Sequence, residues 1–258
     1  MIISLSGYSG SGKDTVGKII QYLTCSIKFP KALPIEERLL GIPDCSGHTV
    51  PWEIKKFAGK LKTIASILTG IPKDKFEDQE FKKTELGPEW TTIDYIKRYS
   101  EPFPTDDSIP VEITEVNTPM TARDLLQKLG TDGLRTGLHP NVWVNALMAD
   151  YQPLTSVSFG IMDLGTSMFQ IEKMTKPIPI EYPNWIITDC RFPNEAIAIK
   201  NNGGITIRVD RPGVGPINDH PSEIGLDDWN FDYKIANVSD LTALTFTVQN
   251  ILDKCNIK

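Results

Sequence analysis

The spacing of apolar positions changes period several times along the chain, and each change predicts an element. Ile2, Ile3 and Leu5 form a short apolar run typical of a buried strand. Val16, Ile19, Ile20 and Leu23 then fall on one face at 3.6-residue spacing, which predicts an amphipathic helix. From Cys25 to Trp52 proline is frequent and no period holds, so an irregular insertion is expected there. Helical spacing returns with Ile54, Phe57, Ala58, Leu61, Ile64, Ala65 and Leu68, and stops at Gly70 with Pro72 just beyond. The opposite face of that helix carries Lys55, Lys56, Lys60 and Lys62. Another helix is predicted from about Pro119 to Leu129, with Thr118 as its cap and Gly130 as its stop. Its apolar face is Ala122, Leu125, Leu126 and Leu129, and Arg123 and Gln127 share the other face.

The C-terminal part repeats one unit. Trp185 to Thr188 reads as a strand, Pro193 to about Asn201 as a helix, and Ile205 to Val209 as a second strand. Tyr233 to Ala236 is a further strand, followed by a helix that turns Leu241, Leu244, Val248, Ile251 and Leu252 inward. Strands alternating with helices predict an α/β fold, a parallel sheet covered on both faces. The expected organisation is one domain with a core at about 1–24 and 184–258. The irregular insertion at about 25–52 is followed by a largely helical one at about 53–150, and a second irregular stretch covers about 152–183.

Composition narrows the function classes. With 258 residues, 40% hydrophobic and 23% charged, the chain has the make-up of a globular protein rather than a disordered one. A net charge of -6 without a basic block argues against broad nucleic-acid binding. No apolar run reaches the ~18 residues of a membrane span, and the N-terminal run is too short for a signal peptide, so a cytosolic protein is expected. The cysteines at 25, 45, 190 and 255 are far apart and read as reduced thiols.

The strongest chemical signal is Gly7-Tyr8-Ser9-Gly10-Ser11-Gly12-Lys13, a GxxxxGK turn lying between the first strand and the first helix. Glycines let successive backbone N–H groups wrap a phosphate, the helix N-terminus adds positive potential, and Lys13 reaches the β- and γ-phosphates. A nucleoside triphosphate is the expected ligand, with Gly7, Gly10, Ser11, Gly12, Lys13, Asp14 and Thr15 around it. Asp14 stands where Ser or Thr normally helps hold Mg²⁺. Two readings stay open for it: a metal-holding carboxylate, or a first-turn acid favoured by the helix dipole. Asp189 ends the strand 185–188 where open α/β sheets bind ligands, and is a second candidate for Mg²⁺ or substrate, with Arg191 and Glu195 close behind. Phosphoryl transfer needs converging cations, for which Lys13, Arg123, Arg191, Arg135 and Arg211 are candidates. Arg208, Arg211 and the polar, glycine-containing stretch through His220 and Glu223 read as a lid at about 210–226.

Together, GYSGSGKDT at 7–15, Phe57-Ala58 with Leu61-Lys62, RDLLQKLGTD at 123–132, Trp143 and DCRFPNE at 189–195 resemble the deoxynucleoside monophosphate kinases of tailed bacteriophages. The resemblance implies a P-loop kinase fold and a reaction in which ATP and Mg²⁺ convert a dNMP to its diphosphate. It places Lys13 and Thr15 on ATP, and Leu61, Lys62, Lys83, Arg123, Gln127, Thr131, Trp143, Asp189, Arg191 and Glu195 around the monophosphate. Lys13, Arg123, Arg191 and Asp189 are the implied catalytic set, with Asp14 and Asp189 nearest the metal. With charge and hydropathy already against a nucleic-acid or membrane partner, a homodimer stays open, and the resemblance suggests the host cytoplasm for a phage-encoded member. Asn237 follows the last strand, where similar P-loop kinases place an adenine-contacting loop. Two other readings fit the P-loop: a kinase of another small metabolite, and a nucleotide-dependent switch or assembly protein.

Overall fold

The computed structural model describes residues 1–25, 35, 52–99, 112–154, 181–216 and 221–257. Cys45, His220 and most of the stretches 25–52 and 152–183 lie outside the described residues. The chain divides into two compact units, residues 1–57 with 144–258, and residues 58–143.

The first unit is built on a five-stranded sheet. Its strands are β1 (Ile2–Ser6), β2 (Trp52–Lys55), β5 (Asn184–Ile187), β6 (Ile205–Asp210) and β7 (Tyr233–Ala236), in the order β2-β5-β1-β6-β7, with every pair parallel. All five residues of β1 are buried, which the unbroken apolar run requires of a central parallel strand. Ile3 and Leu5 join Val16, Ile19 and Ile20 of α1 (Lys13–Thr24) and Leu244, Val248, Ile251 and Leu252 of α7 (Leu241–Lys254) in one core cluster. α7 is capped by Asp240, whose carboxylate accepts from the Ala243 N–H at 2.8 Å. The crossover from β5 to β6 runs through α5 (Pro193–Asn201), which packs on β1 and β6 and buries Ala196 and Ile199. The α/β class read from alternating strands and helices is therefore the fold observed.

β2 corrects one expectation. Ile54 lies in the edge strand opposite Ile186 rather than on a helix, and α2 covers only Ala58–Thr69. A four-residue strand ending two residues ahead of a helix gave Ile54 a false helical spacing to Ala58 and Leu61.

The second unit carries α2, an antiparallel ribbon of β3 (Thr92–Arg98) and β4 (Glu112–Thr118), and α3 (Ala122–Gln127). Its core is Ala65, Phe76, Ala122 and Leu125, with Phe76 and Phe81 edge to face at 5.8 Å. Two expectations fail here. The cap of α3 is Thr121, not Thr118: the Thr121 hydroxyl accepts from the Asp124 N–H, and the Asp124 carboxylate accepts from the Thr121 N–H at 3.0 Å. Thr118 belongs to β4, so Pro119 ends a strand instead of opening a helix. Nor does Gly130 stop the helix, because the chain continues over Lys128–Thr136 as a wider π-helical segment. A Cβ on Gly130 would lie 2.8 Å from Leu61 Cδ2, so close packing on α2 explains the glycine. The boundary between the units falls inside α4 (Val142–Met148).

Candidate active site

The turn between β1 and α1 has the backbone of an anion cradle. Gly7 and Gly12 adopt φ of 139° and 103°, a region that favours glycine. A Cβ on Gly7 would strike the Val209 carbonyl oxygen of β6, and one on Gly12 would lie 2.6 Å from Asn237 Nδ2. The Ser11 N–H closes the turn on the Tyr8 carbonyl at 3.2 Å, and the Val16 N–H begins the helix on the Gly12 carbonyl at 2.9 Å. The Asn237 side chain, from the loop after β7, donates to the Ser11 carbonyl at 2.9 Å. The Ser11 hydroxyl is buried without a hydrogen-bond partner among the described residues.

Lys13 is buried and folds back over the turn, donating to the Gly7 and Tyr8 carbonyls, both at 2.6 Å. Burial lowers its pKa to about 8, helped by the Arg191 guanidinium and opposed by Asp14, Glu223 and Asp189. That set places the end of β5 within electrostatic reach of the lysine.

At that strand end each side chain has a defined role. The Thr188 hydroxyl donates to Asp14 Oδ1 at 2.9 Å, and Lys56 Nζ is 3.4 Å from the same oxygen. Asp189 Oδ1 accepts from the Phe57 N–H at 2.8 Å. Arg191 donates through Nη1 to Glu223 Oε1 at 2.5 Å and to the Ser222 carbonyl at 3.2 Å. Glu195 is buried, and its Oε2 accepts from the Arg191 N–H at 2.8 Å and the Phe192 N–H at 3.1 Å, holding the start of α5. Thr15 is half-buried on α1. Among the described residues no three His, Cys, Asp or Glu side chains gather as a metal cage.

Tyr8 leads away from this cluster. Its hydroxyl donates to Asp227 Oδ2 at 2.8 Å, and the Arg208 guanidinium lies 4.6 Å from its ring centre. Arg208 is itself paired with Asp210 at 2.9 Å and Asp227 at 3.2 Å. Arg211 is exposed, and residues 221–224 of the expected lid form a single helical turn, α6 (Pro221–Ile224).

The remaining sequence candidates lie in the second unit. Arg123 and Gln127 are half-buried four residues apart on α3, and Thr131 is half-buried in the π-helical segment. Leu61 is buried against Gly130, and the Trp143 indole donates to the Gly130 carbonyl at 2.9 Å. Lys62 is buried and paired with Glu77 at 2.5 Å, whereas Lys83 is exposed and paired with Glu80 at 2.8 Å. Arg135 donates to the Pro140 carbonyl at 3.3 Å. Sequence reasoning did not single out Thr188 or the Phe57 N–H. Their only signal was adjacency to Asp189 and to the Phe57-Ala58 pair.

A glycine turn between a central parallel strand and a helix, with a buried lysine folded over it, makes this an α/β protein with a P-loop. No protein-family model matches the chain. It is 25% identical to the deoxynucleotide monophosphate kinase of Escherichia phage RB69, across 97% of this chain and 99% of that protein. The enzyme of the same name from Enterobacteria phage T4 is also 25% identical, across 97% of this chain and 98% of its own length. A provisionally named deoxynucleotide monophosphate kinase of Acanthamoeba polyphaga mimivirus is 33% identical over 138 residues, 51% of this chain and 60% of the relative. The chain is thus a homologue of the viral deoxynucleotide monophosphate kinases, and the resemblance carried by its motifs is borne out.

Proposed function

We propose that the protein transfers the γ-phosphoryl group of ATP to a deoxynucleoside monophosphate, yielding ADP and the diphosphate. The observation that carries this reading is Lys13, buried and held by its own loop at the end of the central strand, in a chain whose full-length homologues share one activity in their names. The turn's N–H groups and the Ser11 hydroxyl, which has no partner among the described residues, are suited to phosphate oxygens. On nucleotide binding Lys13 exchanges two carbonyl acceptors for phosphate oxygens, so its positive charge follows the transferred group. Thr15 adds a hydroxyl on the first turn of α1.

Arg191 supplies a planar fork for the phosphate oxygens, and Glu195 fixes the backbone from which that fork extends. Asp14 on the first turn of α1 and Asp189 at the end of β5 are the carboxylates of the metal end of the site. Mg²⁺, when bound with ATP, neutralises charge on the β- and γ-phosphate oxygens. One or two protein carboxylates would suffice to hold such an ion beside the phosphates.

For the acceptor we assign the second unit. Arg123 pairs with the monophosphate and Gln127 offers a donor and an acceptor to the base, with Leu61, Lys62, Lys83, Thr131 and Trp143 completing that side. Residues 1–24 and 184–258, together with β2, form the core in this reading, and 210–226 the lid that excludes water. Among the described residues no helix is long and apolar enough to cross a membrane. We assign the protein to the cytoplasm, that of the host cell if the protein is phage-encoded.

A coupled ADP-release assay with ATP and Mg²⁺ tests the proposal, adding dGMP, dTMP, dCMP, dAMP and their ribose counterparts singly. ADP release that requires a dNMP and vanishes in Lys13→Ala supports it. Release that no monophosphate stimulates overturns it, and leaves a switch protein or another metabolite kinase.

A further inference from the structure

In P-loop proteins Mg²⁺ is held by a Ser or Thr of the loop together with an Asp from a neighbouring strand. Here the loop position is occupied by Asp14, and the adjacent strand end presents a hydroxyl, Thr188, hydrogen-bonded to it at 2.9 Å. The two functional groups of the pair are present and in contact, with their positions interchanged.

We propose that this chain runs an exchanged metal pair, in which Asp14 is the direct Mg²⁺ ligand and Thr188 is the positioning residue that fixes its carboxylate. The inference deepens the kinase reading above and rests on it. Carboxylate and hydroxyl oxygens are the hard donors that Mg²⁺ takes. The Asp14 carboxylate also draws a cation, the Lys56 ammonium, to 3.4 Å from its Oδ1, while its side chain stays 69% exposed to an incoming ion.

Thr188 is buried, and its rotamer is set by packing. A Cβ on Gly17, one turn along α1 from Asp14, would lie 2.8 Å from Thr188 Cγ2. Glycine at 17 therefore makes room for the methyl group and leaves the hydroxyl directed at Asp14. The neighbouring carboxylate is employed differently: Asp189 Oδ1 accepts from the Phe57 N–H at 2.8 Å, which engages one of the oxygens that could otherwise compete with Asp14 for the ion. A hydroxyl donating to a metal-bound carboxylate is the kind of outer contact whose loss lowers metal affinity.

The test measures Mn²⁺ affinity of the protein–ADP complex by the loss of the free-ion EPR signal, beside ADP affinity in EDTA. Thr188→Val should weaken Mn²⁺ binding roughly ten- to a hundredfold. Thr188→Ser should match the parent, and both variants should keep its ADP affinity in EDTA. Asp14→Ser and Thr188→Asp should each be defective, while Asp14→Ser/Thr188→Asp, which restores the usual order, should recover Mn²⁺ affinity to within a few-fold. Unchanged Mn²⁺ affinity in Thr188→Val, or a double variant no better than its worse parent, overturns the exchange. So does a larger loss in Asp189→Asn than in Thr188→Val. Failure of the parent protein to bind ADP in EDTA would instead overturn the kinase reading beneath it.

Discussion

The side-chain amide of Asn237 donates to the Ser11 carbonyl at 2.9 Å, so the loop after the last strand grips the phosphate turn from behind. This bond, with the close approach of Asn237 to Gly12, fixes the turn's curvature before any nucleotide arrives. A net hydrogen bond contributes about 1 kcal/mol. Asn237→Ala should therefore raise the ATP KM about fivefold, with little change in the dNMP KM. Steady-state kinetics with each substrate varied in turn checks this.

Lys13 makes nucleotide binding depend on pH in a defined direction. Its pKa in the free protein is about 8, lowered chiefly by burial. A polyphosphate beside it favours the charged form and raises that value, so binding takes up a proton. Affinity for ADP should be greatest below pH 8 and fall as pH rises through 8. Calorimetry in buffers of different ionisation enthalpy should register uptake near pH 8 in the parent protein and none from this group in Lys13→Met. The linked stability effect has the opposite slope. Between pH 8 and the ordinary lysine value of 10.5 the unfolded chain binds more protons, so this group makes stability rise with pH.

Glu195 acts through structure. Its buried carboxylate satisfies the N–H groups of Arg191 and Phe192, and Glu195→Ala leaves both without that acceptor. The expected cost is about 2–3 kcal/mol, read from urea unfolding, together with a fall in kcat as Arg191 loses its anchor. Glu195→Gln keeps an acceptor oxygen and should recover most of the stability.

Gly130 and Leu61 form an overpacking pair. Gly130→Ala drives a methyl group toward Leu61 Cδ2 and should destabilise by about 1–3 kcal/mol. Combined with Leu61→Ala, the same change should cost less than the sum of the single effects, because the second substitution removes the obstacle. Equilibrium unfolding of the four proteins in the cycle decides it.

The parallel sheet was legible because β1 and β5 to β7 are short apolar runs separated by helix-length stripes, and α5 and α7 begin within a residue of where their spacing predicts. Local pattern failed where tertiary packing sets the structure. Gly130 reads as a stop but serves contact with Leu61, and Trp143's indole satisfies its carbonyl from thirteen residues away. The ribbon β3–β4 escaped because most of its residues are exposed and mix charged with apolar side chains on both faces, so no clean alternation marks it. Within the site, Lys13, Asp14 and Asp189 are announced by motif and strand-end position. Thr188's hydrogen bond to Asp14 joins residues 174 positions apart and depends on register between β5 and α1, which no spacing records.

With γ-³²P-labelled ATP, Mg²⁺ and a dNMP, radioactivity should appear in the deoxynucleoside diphosphate, dependent on the dNMP and absent in Lys13→Ala. Label appearing only as inorganic phosphate, at a rate indifferent to every monophosphate, would show that the protein transfers no phosphoryl group to a nucleotide.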